Sequence, residues 1–395
     1  MKILTNVTLL LCVVLASQGA YASDAQGERP CARRLPVLST LESLSANGPY
    51  GFATRDFVFV DETRPTPPNG SFPGSPVRTL PTRVFYPVCS PRLEASPPPA
   101  QRVPVASGGP FPLLAYAHGL SSTGANARHF AEHLASHGYI IAVPLFPLSN
   151  WRAPGGSTVA DLAHQPGDLA FVMQQVARLG GADADLAAAV DTQRRGILGL
   201  SGGGLTVLIG AYHPLLKIDG IQAAVAHAPL SCFIGPGLYG RSLPVLIISG
   251  SADELVPISG PERVFTQAPP PVVLVNLLGG THTGFMNLEI PFVNNTDTQE
   301  CERLLSLDPT AGEDQLAEDL TRGVGPDVFN AAGCSPPLCT QRFIQTMGAT
   351  RQLRLSRAAT LAHFEAKLRG RRDAEVFLAV FLGLTNPDVQ VRVKH

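Results

Sequence analysis

The chain has 395 residues, of which 45% are apolar and 15% charged, and its formal net charge at pH 7 is −1. This composition supplies a large apolar core and excludes a chain that is disordered throughout. The near-neutral charge, without a run of Lys and Arg, argues against a surface that binds nucleic acid.

The first 22 residues have the pattern of a cleavable signal peptide. Lys2 gives the positive start, residues 7–16 form an apolar core, and Ala20-Tyr21-Ala22 fits the small-residue rule for cleavage. The apolar core is too short to span a bilayer. We therefore expect a secreted or periplasmic protein without a transmembrane segment, whose mature chain, 23–395, folds as a single domain.

Six cysteines follow the predicted cleavage site, and none forms the C-x2-C pair that is typical of structural zinc. An even number of cysteines in an oxidising compartment predicts three disulfides, although the sequence does not fix their pairing. Cys334 and Cys339 lie close enough in the chain to close one loop together. The cysteines are Cys31, Cys89, Cys232, Cys301, Cys334 and Cys339.

The N-terminal part of the mature chain reads as two strands between irregular segments. Residues 23–50 are expected to pack loosely. Strands are predicted over 56–61 and 80–88, and the prolines of the second suit an edge position in a sheet. Pro-rich loops are predicted over 63–76 and 90–112.

From residue 112 onward, short apolar strands alternate with helical segments. The helices include one that Asn126 could cap and Gly138 would stop, and one over 159–179 that is interrupted near Pro166. This alternation predicts βαβ units in a mostly parallel sheet with helices on both faces. The strands are predicted over 112–117, 139–144, 196–200, 221–228, 243–249 and 272–277, the last being the final strand of the sheet.

The alternation breaks between about 285 and 350, a stretch that contains acidic segments and three of the six cysteines. We expect a disulfide-bearing insertion that packs over one end of the sheet. Helices over 351–368 and 373–382 are predicted to close the fold.

The segment Gly199-Leu200-Ser201-Gly202-Gly203 fits the pattern G-x-S-x-G, between an apolar strand and a helix. A serine at such a sharp turn takes a strained backbone conformation, and glycines two positions away avoid collisions. The following helix directs backbone N–H groups at the serine. Taken alone, the pattern fits a glycine-rich turn with an uninvolved serine equally well.

A nucleophilic serine needs a base and a carboxylate that orients the base. Asp253 follows the strand over 243–249, and His282 follows the next strand, so both lie where parallel sheets build their sites. We predict Ser201, Asp253 and His282 as a catalytic triad. Glu254 is the rival acid, and Asp253 and His282 could each be ordinary loop residues if considered singly.

Two backbone N–H groups are predicted to form an oxyanion hole, those of Gly202 and Leu120. His118, beside the second donor, fits a role in supporting the loop better than a role as base.

A competing pattern, H-x-x-E-H, lies at His129-Phe130-Ala131-Glu132-His133, with His137 one turn later. It is the inverted form of a zinc-protease motif. On a helix, however, Phe130 and Ala131 must face the core, so we expect the histidines to face solvent in part. We therefore predict neither a metal nor another cofactor.

With these motifs, the chain resembles the secreted α/β-hydrolases that are grouped with predicted dienelactone hydrolases, platelet-activating-factor acetylhydrolases and cutinase-like polyesterases. The matching segments are residues 80–87, 117–120, 130–139, 199–203, 250–253 and 280–282. The resemblance implies an α/β-hydrolase fold and cofactor-free hydrolysis of carboxylic esters by Ser201, Asp253 and His282, with Leu120 and Gly202 as oxyanion donors.

The chain also departs from these relatives. True dienelactone hydrolases use a cysteine nucleophile, and polyesterases usually carry His or Trp and then Met beside the serine, where this chain has Leu200 and Gly202. Polyesterases also lack the 285–350 insertion. We expect a monomeric serine esterase for a small-molecule, lipid or polyester ester; the alternatives are an amidase or peptidase with the same triad and a non-catalytic binding protein.

Overall fold

The structure is a computed structural model that describes residues 37–89, 103–286, 293–306, 311–333 and 337–395. The described residues fall within one compact unit, Cys31–His395. The predicted signal peptide, Cys31, Cys334 and most of the loop predicted over 90–112 lie outside the described residues.

Nine strands occur in the described part of the chain. They are β1 (Gly51–Asp61), β2 (Arg78–Val88), β3 (Phe111–Ala117), β4 (Ile140–Pro144), β5 (Val190–Leu200), β6 (Ala223–His227), β7 (Val245–Gly250), β8 (Val272–Leu277) and β9 (Val389–Lys394). They form one sheet in the order β1-β2-β4-β3-β5-β6-β7-β8-β9. Neighbours from β4 to β8 are parallel, whereas β1, β2 and β9 add antiparallel pairs at the two ends. The predicted mostly parallel sheet is therefore confirmed.

Helices cover both faces of this sheet. They are α1 (Leu41–Ser45), α2 (Arg128–Ser136), α3 (Gln165–Val176), α4 (Ala184–Ala188), α5 (Gly202–Tyr212), α6 (Ser259–Gln267), α7 (Asp297–Leu305), α8 (Glu313–Thr321), α9 (Ala349–Arg369), α10 (Arg372–Val376) and α11 (Leu382–Leu384). Successive residues of a strand point to opposite faces. Accordingly Ile197 packs in a core with α3 and α5, and Leu198 packs in a second core with α2 and α9.

Two strand predictions were wrong. The strand β2 lies inside the sheet rather than at its edge, because β1 pairs with one side of it and β4 with the other. Its prolines are tolerated there because β4 pairs only with Thr82 to Phe85, so Pro81 and Pro87 fall outside that ladder. The strand over 272–277 is not the last, since β9 pairs with it in antiparallel fashion. β9 alternates valines with polar residues, a period-two pattern that the prediction passed over.

The first predicted helix begins differently from the expectation. Thr123, not Asn126, caps a short 3-10 turn by accepting from the N–H of Ala125, and α2 follows from Arg128. Gly138 takes a left-handed conformation with φ +82°, as expected of a residue that ends a helix. The predicted interruption near Pro166 is confirmed, because a 3-10 turn, Val159–Ala163, precedes α3.

The described part of the predicted insertion contains α7 and α8 and none of the nine strands. Cys301 of α7 forms a disulfide with Cys339, with 5.4 Å between their Cα atoms. The suggested pairing of Cys334 with Cys339 is therefore wrong, because α7 packs Cys301 against Cys339 across the insertion. Cys89 and Cys232 are also disulfide-bonded.

The lead-in predicted over 23–50 packs more tightly than expected where the structure describes it. Leu38 and Leu44 are fully buried in the core that contains α9. Of the helices in the described ranges, none is both long enough and apolar enough to cross a membrane.

Candidate active site

Ser201 lies at the turn between the end of β5 and the start of α5. Its backbone angles are φ 61° and ψ −121°, a conformation that residues other than glycine adopt only at an energetic cost. Its N–H donates to the carbonyl of His227 on the neighbouring strand at 3.0 Å. The sharp strand-to-helix turn that the sequence predicts is thus present.

The two outer glycines of the motif allow this turn to form. A Cβ atom on Gly203 would lie 2.0 Å from the carbonyl oxygen of Ala117, at the end of β3. A Cβ atom on Gly199 would lie 2.4 Å from the carbonyl oxygen of Gly203. Because both obstacles are backbone atoms, no side-chain rotation can relieve them.

Asp253 and His282 meet at the carboxyl ends of β7 and β8. The Oδ2 atom of Asp253 lies 2.8 Å from Nδ1 of His282, and both side chains are buried. The other oxygen of Asp253 accepts from the N–H groups of Leu255, at 3.0 Å, and Val256, at 2.7 Å. The carboxylate is therefore held in one orientation, and the imidazole is aligned on it through Nδ1.

Ser201 and His282 line the same cavity, which has a volume of about 710 Å³. Within the described ranges, no hydrogen bond joins the hydroxyl of Ser201 to the imidazole. Catalytic hydrogen bonds are often long in unliganded enzymes and shorten when substrate binds. The predicted base and the predicted nucleophile therefore line one cavity. Asp253 bonds Nδ1 of the imidazole, which leaves Nε2 as the nitrogen that could accept the serine proton.

Carboxylates govern the electrostatics of His282. Burial disfavours the charged imidazolium, but attraction to Asp253, the hydrogen bond to it, and the charges of Asp297 and Glu300 outweigh this cost. Together they raise the pKa of His282 above its ordinary value of 6.5.

Glu254, the rival acid, points away from the imidazole. Its carboxylate accepts from the N–H of Phe343 at 3.0 Å and from the hydroxyl of Thr298 at 2.9 Å, and Arg342 lies 3.6 Å away. These contacts tie it to the insertion, so Asp253 is the carboxylate that meets His282.

The two predicted oxyanion donors lie side by side next to Ser201. A Cβ atom on Gly202 would lie 3.2 Å from the backbone nitrogen of Leu120, and one on Gly119 would lie 3.2 Å from Cβ of Ser201. Among the residues that the structure describes, no acceptor takes a hydrogen bond from the N–H of Gly202 or of Leu120. Backbone N–H groups away from bulk water are nearly always hydrogen-bonded. Two neighbouring N–H groups without an acceptor in the protein are therefore suited to bind an oxygen atom of a ligand.

His118 is a buried support for the loop that carries Leu120. Its Nε2 accepts from the N–H of Phe146 at 3.1 Å, so Nδ1 carries the proton and donates to the carbonyl of Gly119 at 2.9 Å. Burial lowers the pKa of His118 to about 4. With both nitrogens bound to backbone, this histidine has the supporting position that the sequence suggests.

His133 of the H-x-x-E-H pattern, and His137 one turn later, do not face solvent as expected, whereas His129 is partly exposed. His133 and His137 are buried because the segment around Ala46 covers their side of α2, and both bond the carbonyl oxygen of Ala46, at 3.1 and 2.9 Å. His129 bonds the carbonyl of Phe285 at 2.8 Å. Among the described residues, no three His, Cys, Asp or Glu side chains converge in a way that could hold a metal ion.

At this site, sequence reasoning missed the buried carboxylate of Asp297, at the start of α7. Its carboxylate accepts hydrogen bonds from the backbone N–H groups of Glu254, His282 and Thr283. The acidic composition of 285–350 indicated an insertion, but no motif marked this residue.

The walls of the cavity are mostly apolar, and α7 and the segment around Cys339 form part of them. Trp151 and Leu305 are the most exposed large apolar residues of the lining, at 57% and 55%. Glu300, Arg303 and Glu313 add charged groups from the insertion. The apolar lining residues are Leu120, Trp151, Leu200, Leu230, Phe233, Leu255, Val256, Met286, Leu304, Leu305, Pro337 and Leu338.

A comparison of the chain with models of known protein families finds no match, and a comparison with curated proteins finds none either.

Proposed function

We propose that this protein is a serine hydrolase that cleaves carboxylic esters through an acyl-enzyme. The observation that carries the proposal is the buried Asp253–His282 hydrogen bond, 2.8 Å long, whose imidazole lines the same cavity as Ser201 in its strained turn. Asp253, His282 and Ser201 occur at the carboxyl ends of three parallel strands, where sheets of this kind build their sites.

Each group has a defined task in this reaction. His282 takes the proton of the Ser201 hydroxyl as its oxygen attacks the ester carbonyl, and later gives that proton to the departing alcohol. Asp253 holds the imidazole through Nδ1 and stabilises its cation. The N–H groups of Leu120 and Gly202 bind the oxyanion of the tetrahedral intermediate. A water molecule, activated by the same imidazole, then releases the acid from Ser201.

The cavity supports an apolar substrate. Twelve apolar residues line it, so an aliphatic or aromatic group beside the scissile bond would be buried on binding. Burial of each methylene contributes about 0.8 kcal/mol. An ester with two more methylenes than an acetate should therefore gain about tenfold in kcat/KM while the group still fits.

The proposal includes an α/β-hydrolase fold and export from the cytoplasm. The order serine, acid, histidine along the chain supports the fold. The disulfide between Cys301 and Cys339, and the disulfide-bonded state of Cys89 and Cys232, support an oxidising compartment.

A panel of p-nitrophenyl esters from acetate to palmitate, with wild-type protein and Ser201→Ala, tests the proposal. We expect ester hydrolysis that falls at least about 10³-fold in the variant, because the nucleophile is lost. Ser242→Ala, which changes an exposed serine, is the matched control and should keep full activity. Activity that survives in Ser201→Ala would refute the triad, activity on amides alone would favour an amidase, and binding of esters without turnover would favour a binding protein.

A further inference from the structure

Asp297 has two carboxylate oxygens, and each bonds the backbone beside the Asp253–His282 pair. Oδ2 accepts from the N–H of His282 at 2.8 Å and from the N–H of Glu254 at 3.1 Å. Oδ1 accepts from the N–H and the hydroxyl of Thr283, at 2.8 and 2.7 Å. The side chain is buried, so these bonds form away from water, where they are strongest.

The bonded groups belong to two separate loops. Glu254 is the residue after Asp253 in the loop that follows β7, and Thr283 is the residue after His282 in the loop that follows β8. The hydrogen bond between Asp253 and His282 joins the same two loops. One carboxylate therefore fixes the spacing that this hydrogen bond requires.

We infer that Asp297 is a positioning residue, which holds the loops of Asp253 and His282 together and keeps the imidazole aligned on Asp253. The inference rests on the proposed hydrolysis and gives the insertion a part in it. Asp297 begins α7, and Cys301, one turn later, fastens the same helix to Cys339.

Charge adds to this positioning. The carboxylates that face His282 are Asp253 from the loop after β7, and Asp297 and Glu300 from α7. Burial and the charge of Asp253 raise the pKa of Asp297 above its usual range, and its ionised form attracts the imidazolium. The positive charge that develops on His282 during attack by Ser201 is thus stabilised by a second carboxylate besides Asp253.

The test is Asp297→Asn in the full chain, compared with Glu302→Gln. Asparagine has nearly the same size, but it loses the charge and replaces one accepting oxygen with an N–H donor. Glu302 lies exposed on the same helix, so its variant makes the same change in charge where solvent screens it.

Two readouts separate positioning from mere stabilisation. The first is the titration of the His282 imidazole, monitored by proton NMR in the protein without substrate. We expect its midpoint to fall by about one pH unit in Asp297→Asn, because an attracting charge is lost, and to stay unchanged in Glu302→Gln. The second is ester hydrolysis, in which kcat should fall about 10²-fold through misalignment while KM changes little.

An Asp297→Asn variant that is less stable, but whose folded protein keeps the wild-type titration and kcat, would overturn the inference. If that variant does not fold, Thr283→Val removes one donor to the same carboxylate; a lowered titration midpoint supports the inference and an unchanged one overturns it. The titration of His282 requires no turnover, so it tests the role of Asp297 separately from the proposed function. The proposed function is tested by Ser201→Ala.

Discussion

Gly203 offers a sharp test of how the turn at Ser201 is built. In Gly203→Ala the added methyl group would lie 2.0 Å from the carbonyl oxygen of Ala117 and 2.5 Å from its carbonyl carbon. Both are backbone atoms, so α5 or the end of β3 must move by more than about 1 Å to restore ordinary contact. Ala117 pairs with Gly199 in the sheet, and Leu120 follows shortly after it.

The magnitude follows from these contacts. Overpacking of this kind costs about 1–3 kcal/mol, and each backbone hydrogen bond that the movement breaks adds about 1 kcal/mol. We therefore expect the free energy of unfolding to fall by about 2–4 kcal/mol. The same movement separates the N–H groups of Leu120 and Gly202, and the loss of one oxyanion donor costs about 10²–10³-fold in kcat.

Gly210→Ala is the matched control, since it makes the same change on the same helix. Its methyl group would lie 3.0 Å from Cδ1 of Ile218, the end of a flexible side chain that can give way. The gain in helix propensity, up to about 1 kcal/mol, offsets that crowding. Urea unfolding and hydrolysis of an activated ester would measure both variants. If Gly203→Ala matched Gly210→Ala in stability and kcat, the reasoning about the turn would be refuted.

Three further outcomes are expected at the site. The base acts as neutral imidazole, so kcat/KM should rise with pH through the raised pKa of His282, with its midpoint above 6.5; a pH–rate profile with a lower midpoint would contradict the ionic contacts. Asp253→Asn should lower kcat about 10⁴-fold, whereas Glu254→Gln should lower the urea midpoint with a far smaller effect on kcat, and the reverse order would exchange their roles. Replacement of Cys301 and Cys339 by alanine removes a cross-link between residues 38 apart in the chain, and should lower the free energy of unfolding, measured in urea, by about 4 kcal/mol. A loss below about 1 kcal/mol would show that the cross-link constrains the unfolded chain little.

The sequence predicts the centre of the sheet, and it places Ser201, Asp253 and His282 at one edge of that sheet, because both predictions depend on local patterns. Apolar runs of five to eight residues, each followed by turn residues, mark β3 to β8 in the sequence. Ser201, Asp253 and His282 each follow such a strand, so parallel order alone brings them to one edge. The catalytic roles remain predictions, whereas the Asp253–His282 hydrogen bond and the shared cavity are features of the structure.

The features that the sequence did not predict depend on contacts between distant segments. β9 pairs with β8 after more than a hundred intervening residues, and Cys301 reaches Cys339 through the packing of α7. Asp297 contacts the loops after β7 and β8 only because α7 packs against them, and the sequence around it does not reveal this packing. The burial of His133 and His137 is not predicted because the segment that covers them, around Ala46, carries no strong pattern.

The central claim, that His282 activates the hydroxyl of Ser201, is tested most directly by reaction with a fluorophosphonate and mass spectrometry of the modified peptide. The account predicts one adduct, on Ser201, formed rapidly by the wild-type protein and orders of magnitude more slowly by His282→Asn. An unmodified Ser201 in protein that hydrolyses esters, or equal labelling rates in the two proteins, would contradict it.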